Sequence, residues 1–211
     1  MTRDEYLAFE NQSAVRHEYV AGEVYAMTGG TRRHNLITLN IAGSLKAPAR
    51  ARGCHVFATA VKVSVDDRVY YPDVVVACAR MAGTGLFAEQ PAVIVEVTSP
   101  SSRATDRREK LEAYRRLASL HVYLIVSQRR RQVLAYLRGP DDAWARTEFT
   151  GNEVIPLPML SSQLALDAIY DAIELPPLAV GEGDEEEEEE EEGVGDEEDV
   201  GDGDGEEEGW S

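Results

Sequence analysis

Two acidic residues accompany apolar, β-branched segments of this chain, and a lysine follows them in a segment with a helical pattern. Asp73 precedes the apolar run 74–78, and Glu96 lies inside the apolar run 93–97. A carboxylate in a buried strand is costly to desolvate unless it has a partner, and a divalent cation is one such partner. Two such acids with Lys110 nearby would suit metal-assisted hydrolysis of a phosphodiester.

This hypothesis gives each residue a role. Asp73 and Glu96 would bind Mg²⁺ or Mn²⁺, and Lys110 would orient a water molecule or neutralise charge on the phosphate. The helical period places Lys110 and Tyr114 on one side of a helix that faces the sheet, so that Lys110 would project toward Glu96. The alternative is that the acids lie on the surface and that Asp106 and Lys110 form an ordinary helical ion pair.

The segments around these residues predict an α/β fold whose core order is helix, three strands, helix and strand. Helical patterns cover 2–9, 31–48, 103–118 and 164–170, and extended patterns cover 15–20, 23–27, 55–65, 69–78, 92–98, 121–127, 131–138 and a final strand pair, 143–150 with 154–157. The last step of the core is a strand–helix–strand crossover, which should be right-handed.

The net charge of -18 belongs to the C-terminal end of the chain. Residues 181–211 contain 19 of the 39 acidic residues and no Lys or Arg, so the other 20 acidic residues face 21 basic ones. Such a segment cannot bury enough apolar surface to fold. We therefore predict a domain over 1–178 and a disordered acidic tail over 179–211. The tail could bind the protein's own basic surface, bind basic partners or simply aid solubility.

The remaining composition predicts a cytoplasmic protein. No stretch has the length and apolarity of a membrane span, and the first ten residues lack the apolar core of a signal peptide. Cys54 and Cys78 have no metal-site spacing. A disulfide across a hairpin is conceivable, but a reducing compartment disfavours it, so both are predicted to be small buried hydrophobic residues.

The combined order of these motifs resembles the putative restriction endonuclease family, formerly a domain of unknown function, within the PD-(D/E)XK nuclease superfamily. The residues that carry the resemblance are Pro72-Asp73, Glu96-Val97-Thr98-Ser99-Pro100-Ser101-Ser102, Asp106-Arg107-Arg108, Lys110 and Tyr114. The likeness extends from the N-terminal hairpin to about Leu157. It implies a restriction-endonuclease-like αβββαβ core, with a mixed sheet flanked by helices, and Mg²⁺-dependent cleavage of DNA.

The resemblance also implies a ligand set. Asp73 and Glu96 would bind the metal together with the backbone carbonyl of Val97. The lysine of the superfamily usually lies two residues after the second acid, where this chain has Thr98. In this family the lysine is thought to have moved to the following helix, which matches Lys110.

Two further residues are candidates for the site. Glu18 resembles an acid that some superfamily members supply from an early element as an extra metal ligand, although an exposed strand residue is an equal alternative. His34 begins an apolar helical face, where a core or capping role is more common than a catalytic one.

Arginines supply the candidate contacts to DNA, since phosphate contacts dominate nonspecific affinity. The candidates are Arg103, Arg107, Arg108 and Arg130, with Arg32-Arg33 and Arg129–Arg131 as further clusters. Arginines also solvate exposed faces, and a nearly neutral domain is not strongly basic. Three functions therefore stay open. The first is a Mg²⁺-dependent endodeoxyribonuclease, for which a homodimer would address both strands, and the second is a catalytically inactive binding or regulatory module that keeps the nuclease fold. The third is an acidic protein that chaperones basic partners through its tail, with the domain as an anchor.

Overall fold

The computed structural model describes residues 1–27, 29–79, 85–98 and 104–176, without the side chains of 104–107. These residues lie within one compact unit, Met1–Pro176. The segment predicted to be a disordered tail, 179–211, lies outside the described residues, so its disorder stays a prediction.

The described residues form four α-helices and twelve β-strands. The helices are α1 (Arg3–Glu10), α2 (Arg32–Ala51), α3 (Ala104–Arg115) and α4 (Leu166–Ile169). The strands are β1 (His17–Val20), β2 (Glu23–Ala26), β3 (His55–Ala58), β4 (Val63–Val65), β5 (Arg68–Tyr70), β6 (Val74–Ala77), β7 (Pro91–Thr98), β8 (Val122–Ser127), β9 (Gln132–Arg138), β10 (Trp144–Thr150), β11 (Val154–Leu157) and β12 (Ser162–Ala165). None of the helices in this part of the chain is both long and apolar enough to cross a membrane.

A mixed six-stranded sheet forms the centre of the fold, in the order β10-β9-β8-β7-β6-β3. Strands β7 and β8 are parallel and are connected through α3, whereas the other neighbouring pairs are antiparallel. The predicted αβββαβ order is confirmed as α2, β3, β6, β7, α3 and β8. Because both faces of β6, β7 and β8 are covered, these strands are almost continuously apolar.

Different elements pack on the two faces of the central sheet. On one face, Ile37, Ile41 and Leu45 of α2 are fully buried against the sheet, beside α4, β11 and β12. On the other face, Ala113 and Tyr114 of α3 pack against the sheet together with residues of a second sheet. That second sheet has the order β2-β1-β5-β4, and α1 packs on it.

Two predicted long strands, 55–65 and 69–78, are each divided in the structure. Strands β3 and β6 pair in the central sheet, whereas β4 and β5 form a hairpin in the second sheet. The first break contains Thr59, whose φ is +60°. The second contains Pro72, which has no N–H for a sheet hydrogen bond. Apolar periodicity continues through both breaks, which explains why the pattern did not reveal them.

Other element boundaries also differ from the predictions. Helix α2 continues beyond Pro48 to Ala51, because a proline in the last turn removes only one hydrogen bond and Ala49 is still buried. Strand β11 pairs with β12 rather than with β10. The first two residues of the predicted helix 164–170 belong to the end of β12, where Leu164 is buried between less buried neighbours. The helix itself, α4, begins at Leu166.

The prediction that Cys54 and Cys78 are two small buried hydrophobic residues is wrong, because they form a disulfide and Cys78 is exposed. The pairing of β3 with β6 ends at His55 and Ala77. The two cysteines are the next residues beyond that pair, and their Cα atoms lie 4.1 Å apart. Strand register therefore brings the two cysteines together. The prediction was wrong because it assumed that a reducing compartment would prevent the disulfide.

Candidate active site

Asp73 and Glu96 lie side by side at one end of two antiparallel strands. The register pairs Val74 of β6 with Val95 of β7, so the next position places Asp73 opposite Glu96. The N–H of Val97 donates to Asp73 Oδ2 at 2.7 Å, which holds the carboxylate against β7. The Asp73 and Glu96 side chains are 16% and 14% exposed. The fold therefore keeps two neighbouring carboxyl groups largely away from water.

Helix α3 places Lys110 between Glu96 and Glu18. Its Nζ lies 3.0 Å from Glu18 Oε1 and 3.5 Å from Glu96 Oε1. Glu18 comes from β1 and also accepts the N–H of Tyr71 at 3.2 Å. Lys110 therefore reaches the acids from the helix after β7, and its ammonium lowers the repulsion between carboxylates from two different sheets.

The carboxyl group of Glu96 is the most perturbed acid of this site. Burial raises the pKa of Glu96 to about 8, the positive charge of Lys110 opposes that rise, and the nearby charges of Asp73 and Glu18 add to it. Tyr114 of α3 is fully buried and donates its hydroxyl to Glu96 Oε1 at 2.9 Å. The pKa of Tyr114 is also raised by burial, so its hydroxyl stays a neutral donor. Burial and the neighbouring acids therefore favour the protonated form of Glu96.

His34 holds the other oxygen of Asp73. It lies in the first turn of α2, where its backbone N–H donates to the capping hydroxyl of Thr31. Its ring Nε2 is 2.7 Å from Asp73 Oδ1, and this hydrogen bond raises the pKa of His34 against the opposing effect of burial. Its Nδ1 faces Nε2 of Gln128 at 3.4 Å. The histidine whose pattern favoured a core or capping role thus contacts the acidic pair directly.

The donor set suits a hard divalent cation. Glu18, Asp73 and Glu96 bring three carboxyl groups to a site in which Lys110 is the ammonium group. The N–H of Val97 points toward Asp73, and the N–H and C=O of one strand residue point to the same side of the strand, so the Val97 carbonyl is on the β6 side of β7. Mg²⁺ keeps several of its own waters and needs few protein oxygens. In the part of the chain that the structure describes, no three His, Cys, Asp or Glu side chains form a ready-made metal site.

The structure brings most of the predicted site residues together. Five of them lie at one site with side chains that are 11–18% exposed: Glu18, His34, Asp73, Glu96 and Lys110. They form two contact groups, His34 with Asp73 and Lys110 with Glu18 and Glu96, which the pairing of β6 with β7 places side by side. Arg108 on α3 and Arg130 in the β8–β9 turn are exposed. Arg103 and the side chains of Asp106 and Arg107 lie outside the described residues, so their predicted roles are untested.

Two contributors were missed by the sequence reasoning. Gln128 contacts His34, and Thr31 contacts Gln128, although neither was considered as a site residue. The place of Gln128 in the sequence could have indicated its role, because Gln128 directly follows a buried strand that is parallel to the strand of Glu96. Equivalent ends of parallel neighbours lie at the same edge of a sheet.

The same contacts place two pairs of arginines beside the site. The Thr31 hydroxyl donates to Gln128 Oε1 at 2.8 Å, so the first turn of α2 touches the β8–β9 turn. Arg32-Arg33 directly follows Thr31, and Arg129-Arg130 directly follows Gln128. Arg131 is different, since it donates to the Gly151 carbonyl and pairs with Asp167.

A family model and two known proteins each match most of this chain. A family model described as "Uma2: Putative restriction endonuclease" matches residues 3–168. The chain is 29% identical over 173 residues to the uncharacterized protein slr1290 of Synechocystis sp., covering 81% of this chain and 91% of that protein. It is 28% identical over 156 residues to sll1609 of the same organism, covering 72% of this chain and 88% of that protein.

A solved structure shares the fold. The crystal structure of a putative nuclease belonging to DUF820 from Anabaena variabilis superposes with a TM-score of 0.68 at 16% sequence identity. The match covers 82% of this chain and 99% of that one. This chain and that solved structure therefore share the α/β architecture with a central mixed sheet.

Proposed function

Because this chain belongs to the Uma2 family of putative restriction endonucleases, we propose that it is a Mg²⁺- or Mn²⁺-dependent nuclease that hydrolyses phosphodiester bonds of DNA. The observation that carries the proposal is the convergence of Asp73 and Glu96 from adjacent strands with Lys110 of α3, whose Nζ lies 3.5 Å from Glu96. Asp73, Glu96 and the Val97 carbonyl would hold the ion. When bound, the ion supplies a polarised phosphate and a water of lowered pKa.

The surrounding residues have defined tasks in this proposal. His34 and the Val97 N–H each bind one oxygen of Asp73, so the carboxylate keeps one orientation. Tyr114 and Lys110 both contact Oε1 of Glu96, which holds that oxygen on the side of α3. The Lys110 ammonium also supplies positive charge close to the place where charge on the phosphate increases, and preorganised charges of this kind give large rate effects.

The substrate side of the proposal depends on arginines. Membership of the family supports a nucleic acid as the substrate. Arg32-Arg33 and Arg129-Arg130 lie beside His34 and Gln128, where phosphate contacts would position a strand near the acids. Arg108 is exposed on α3, the helix that carries Lys110. DNA as the preferred nucleic acid, and a homodimer that cuts both strands, belong to the proposal.

Cleavage of supercoiled plasmid tests the proposal. The wild-type chain should nick plasmid in Mg²⁺ or Mn²⁺ and not in EDTA. Asp73→Asn should abolish nicking, because it removes a charged ligand at constant shape. Lys110→Met should slow nicking by about 10²- to 10³-fold, as loss of one preorganised charge does. Glu112→Gln changes an exposed acid of α3 and is the matched control with wild-type activity.

The opposite result has a clear meaning. If the wild-type chain does not nick plasmid, and calorimetry detects no Mg²⁺ or Mn²⁺ binding that Asp73→Asn removes, the nuclease proposal fails. A catalytically inactive binding or regulatory module with the nuclease fold would then be the better interpretation. Thr98, at the position where the superfamily usually has its lysine, would be consistent with that outcome.

A further inference from the structure

Gln128 has a buried amide with three polar neighbours. The residue is 4% exposed and lies at the start of the β8–β9 turn. Its Nε2 donates to the backbone carbonyl of Thr98 at 2.8 Å, and its Oε1 accepts from the Thr31 hydroxyl at 2.8 Å. Its Nε2 also lies 3.4 Å from Nδ1 of His34. A buried side chain with this many partners has a defined orientation.

The partners determine which end of the amide is which. The Thr98 carbonyl can only accept, so the amide must present its NH₂ group there. The Thr31 hydroxyl oxygen accepts the N–H of His34, which leaves its own hydrogen for the amide oxygen of Gln128. Rotating the amide by 180° would place two acceptors face to face at Thr98. The amide orientation is therefore fixed by neighbours other than the histidine.

This orientation determines the hydrogen on the imidazole of His34. The second N–H of the Gln128 amide points toward Nδ1, which must then be the acceptor nitrogen. In a neutral ring the hydrogen is then on Nε2, which lies 2.7 Å from Asp73 Oδ1. His34 is therefore a donor to Asp73, and its acceptor nitrogen faces away from the acids.

We propose that Gln128 is a positioning residue that keeps His34 in the tautomer with hydrogen on Nε2 and, through it, keeps Asp73 in one orientation. The opposite tautomer would place a lone pair of Nε2 against a carboxylate oxygen, and the contact would become repulsive. Asp73 would then be free to rotate away from the N–H of Val97, which now donates to its Oδ2 at 2.7 Å. Gln128 thus acts on an acid that it does not touch.

The first test measures the tautomer in the wild-type full-length chain. Long-range ¹H–¹⁵N correlation spectra distinguish the two ring nitrogens, and the His34 signals are identified by their loss in His34→Gln. At about pH 9, above the ordinary pKa of histidine, Nε2 should show the shift of a protonated nitrogen and Nδ1 that of an acceptor. A protonated Nδ1 would overturn the inference without the need for any variant of Gln128.

The second test replaces the amide. Gln128→Met keeps the length of the side chain but removes its donors, so the Asp73 carboxylate is the remaining contact among the described residues that favours hydrogen on Nε2. The fraction of the opposite tautomer of His34 should therefore rise, and the Val97 amide proton should shift upfield as its bond to Asp73 weakens. Gln132→Met is the matched control, because the Gln132 amide binds Glu148 instead. Unchanged His34 and Val97 signals in Gln128→Met would contradict the positioning role.

The effect on metal binding depends on the proposed function. If Asp73 binds Mn²⁺, Gln128→Met should weaken Mn²⁺ affinity by about tenfold relative to Gln132→Met, which is the usual cost of losing a residue that orients a ligand. Equal Mn²⁺ affinities in the two variants would overturn the link from Gln128 to Asp73. If no form binds Mn²⁺, the proposed function fails, whereas the NMR signals still decide the role of Gln128.

Discussion

At the scale of single residues, the central feature is Glu96, a largely buried acid that lies beside a second acid, Asp73. Glu96 is 14% exposed, lies beside Asp73, and has a pKa raised to about 8 by burial. Lys110 lies 3.5 Å away and offsets only part of this cost. The protonated form of Glu96 is therefore favoured, and under the proposed function a divalent ion would displace that proton.

This raised pKa predicts a specific pH dependence of stability. Between the ordinary value of 4.5 and about 8, the folded chain keeps a proton on Glu96 that the unfolded chain releases. The contribution is therefore complete below 4.5 and is lost as the pH rises through 8. Glu96→Gln has no such proton, so its melting temperature relative to wild type should increase from about pH 5 to about pH 9.

Thermal unfolding in metal-free buffer tests this expectation. Glu112→Gln, on the exposed side of α3, should keep a constant difference from wild type across the same pH range. If Glu96→Gln also follows wild type at a constant difference, the carboxyl of Glu96 ionises as an ordinary surface acid does, and its pKa is not raised in the folded chain.

Single residues also show how far the sequence could predict the site. The pattern placed Asp73, Glu96 and Lys110 together, because acids in apolar strands and a lysine on a sheet-facing stripe carry a local signal. Gln128 carries no such signal, since it reaches the site only through the pairing of β8 with β7. His34 was predicted less well for a similar reason: a lone histidine on a helix reveals nothing about the acid 39 positions away.

At the scale of elements, the site depends on register. The pairing of Val74 with Val95 sets Asp73 beside Glu96, and a slip of one residue would turn one carboxylate to the other face. The sequence predicted β7, α3 and β8 well, because apolar runs and helical stripes define them. It could not separate β3 from β4 or β5 from β6, since all four are apolar and their assignment to two sheets depends on long-range pairing.

The disulfide is expected to stabilise the same register. It joins residues 24 positions apart, at the end of β6 away from Asp73, and the chain-entropy relation gives about 3.5 kcal/mol for a closed loop of that size. The double variant Cys54→Ala with Cys78→Ala should lower the unfolding free energy by up to this amount under oxidising conditions. Urea unfolding with and without dithiothreitol measures the effect.

The reductant provides the internal control for this experiment. Dithiothreitol should lower the stability of the wild-type chain and leave that of the double variant unchanged. A wild-type chain that unfolds at the same urea concentration with and without reductant would show that Cys54 and Cys78 do not form a bridge in solution.

At the scale of the whole molecule, charge is divided unevenly. The net charge of -18 comes entirely from residues 181–211, which contain 19 acidic residues and no Lys or Arg. The remainder is close to neutral and has arginine pairs beside the candidate site. For a nuclease, a large negative charge on the same chain competes with the phosphate backbone of the substrate.

Removing this segment should strengthen binding to DNA. A chain that ends at residue 180 should bind a short duplex more tightly than the full chain at low salt, and the difference should shrink as salt screens the charges. Fluorescence anisotropy in EDTA measures affinity without cleavage. A full-length control in which the acidic residues of 181–211 become Gln and Asn should bind like the shortened chain.

The two alternatives for the segment then separate. If the shortened chain and the full chain bind the duplex equally at every salt concentration, the acidic segment does not restrain nucleic-acid binding and serves another purpose. If only the shortened chain binds tightly and the uncharged full-length control does not, the bulk of the segment 181–211 weakens DNA binding, and its charge does not.

The distances along the chain between the residues that close the site have a consequence during protein synthesis. Lys110 pairs with a residue 92 positions earlier, and Gln128 contacts a residue 94 positions earlier. A nascent chain that has exposed Asp73 and Glu96 to the cell still lacks the lysine and the amide. For a nuclease, this order of assembly withholds a complete site until most of the folded part has left the ribosome, and prematurely terminated products would be harmless to the genome.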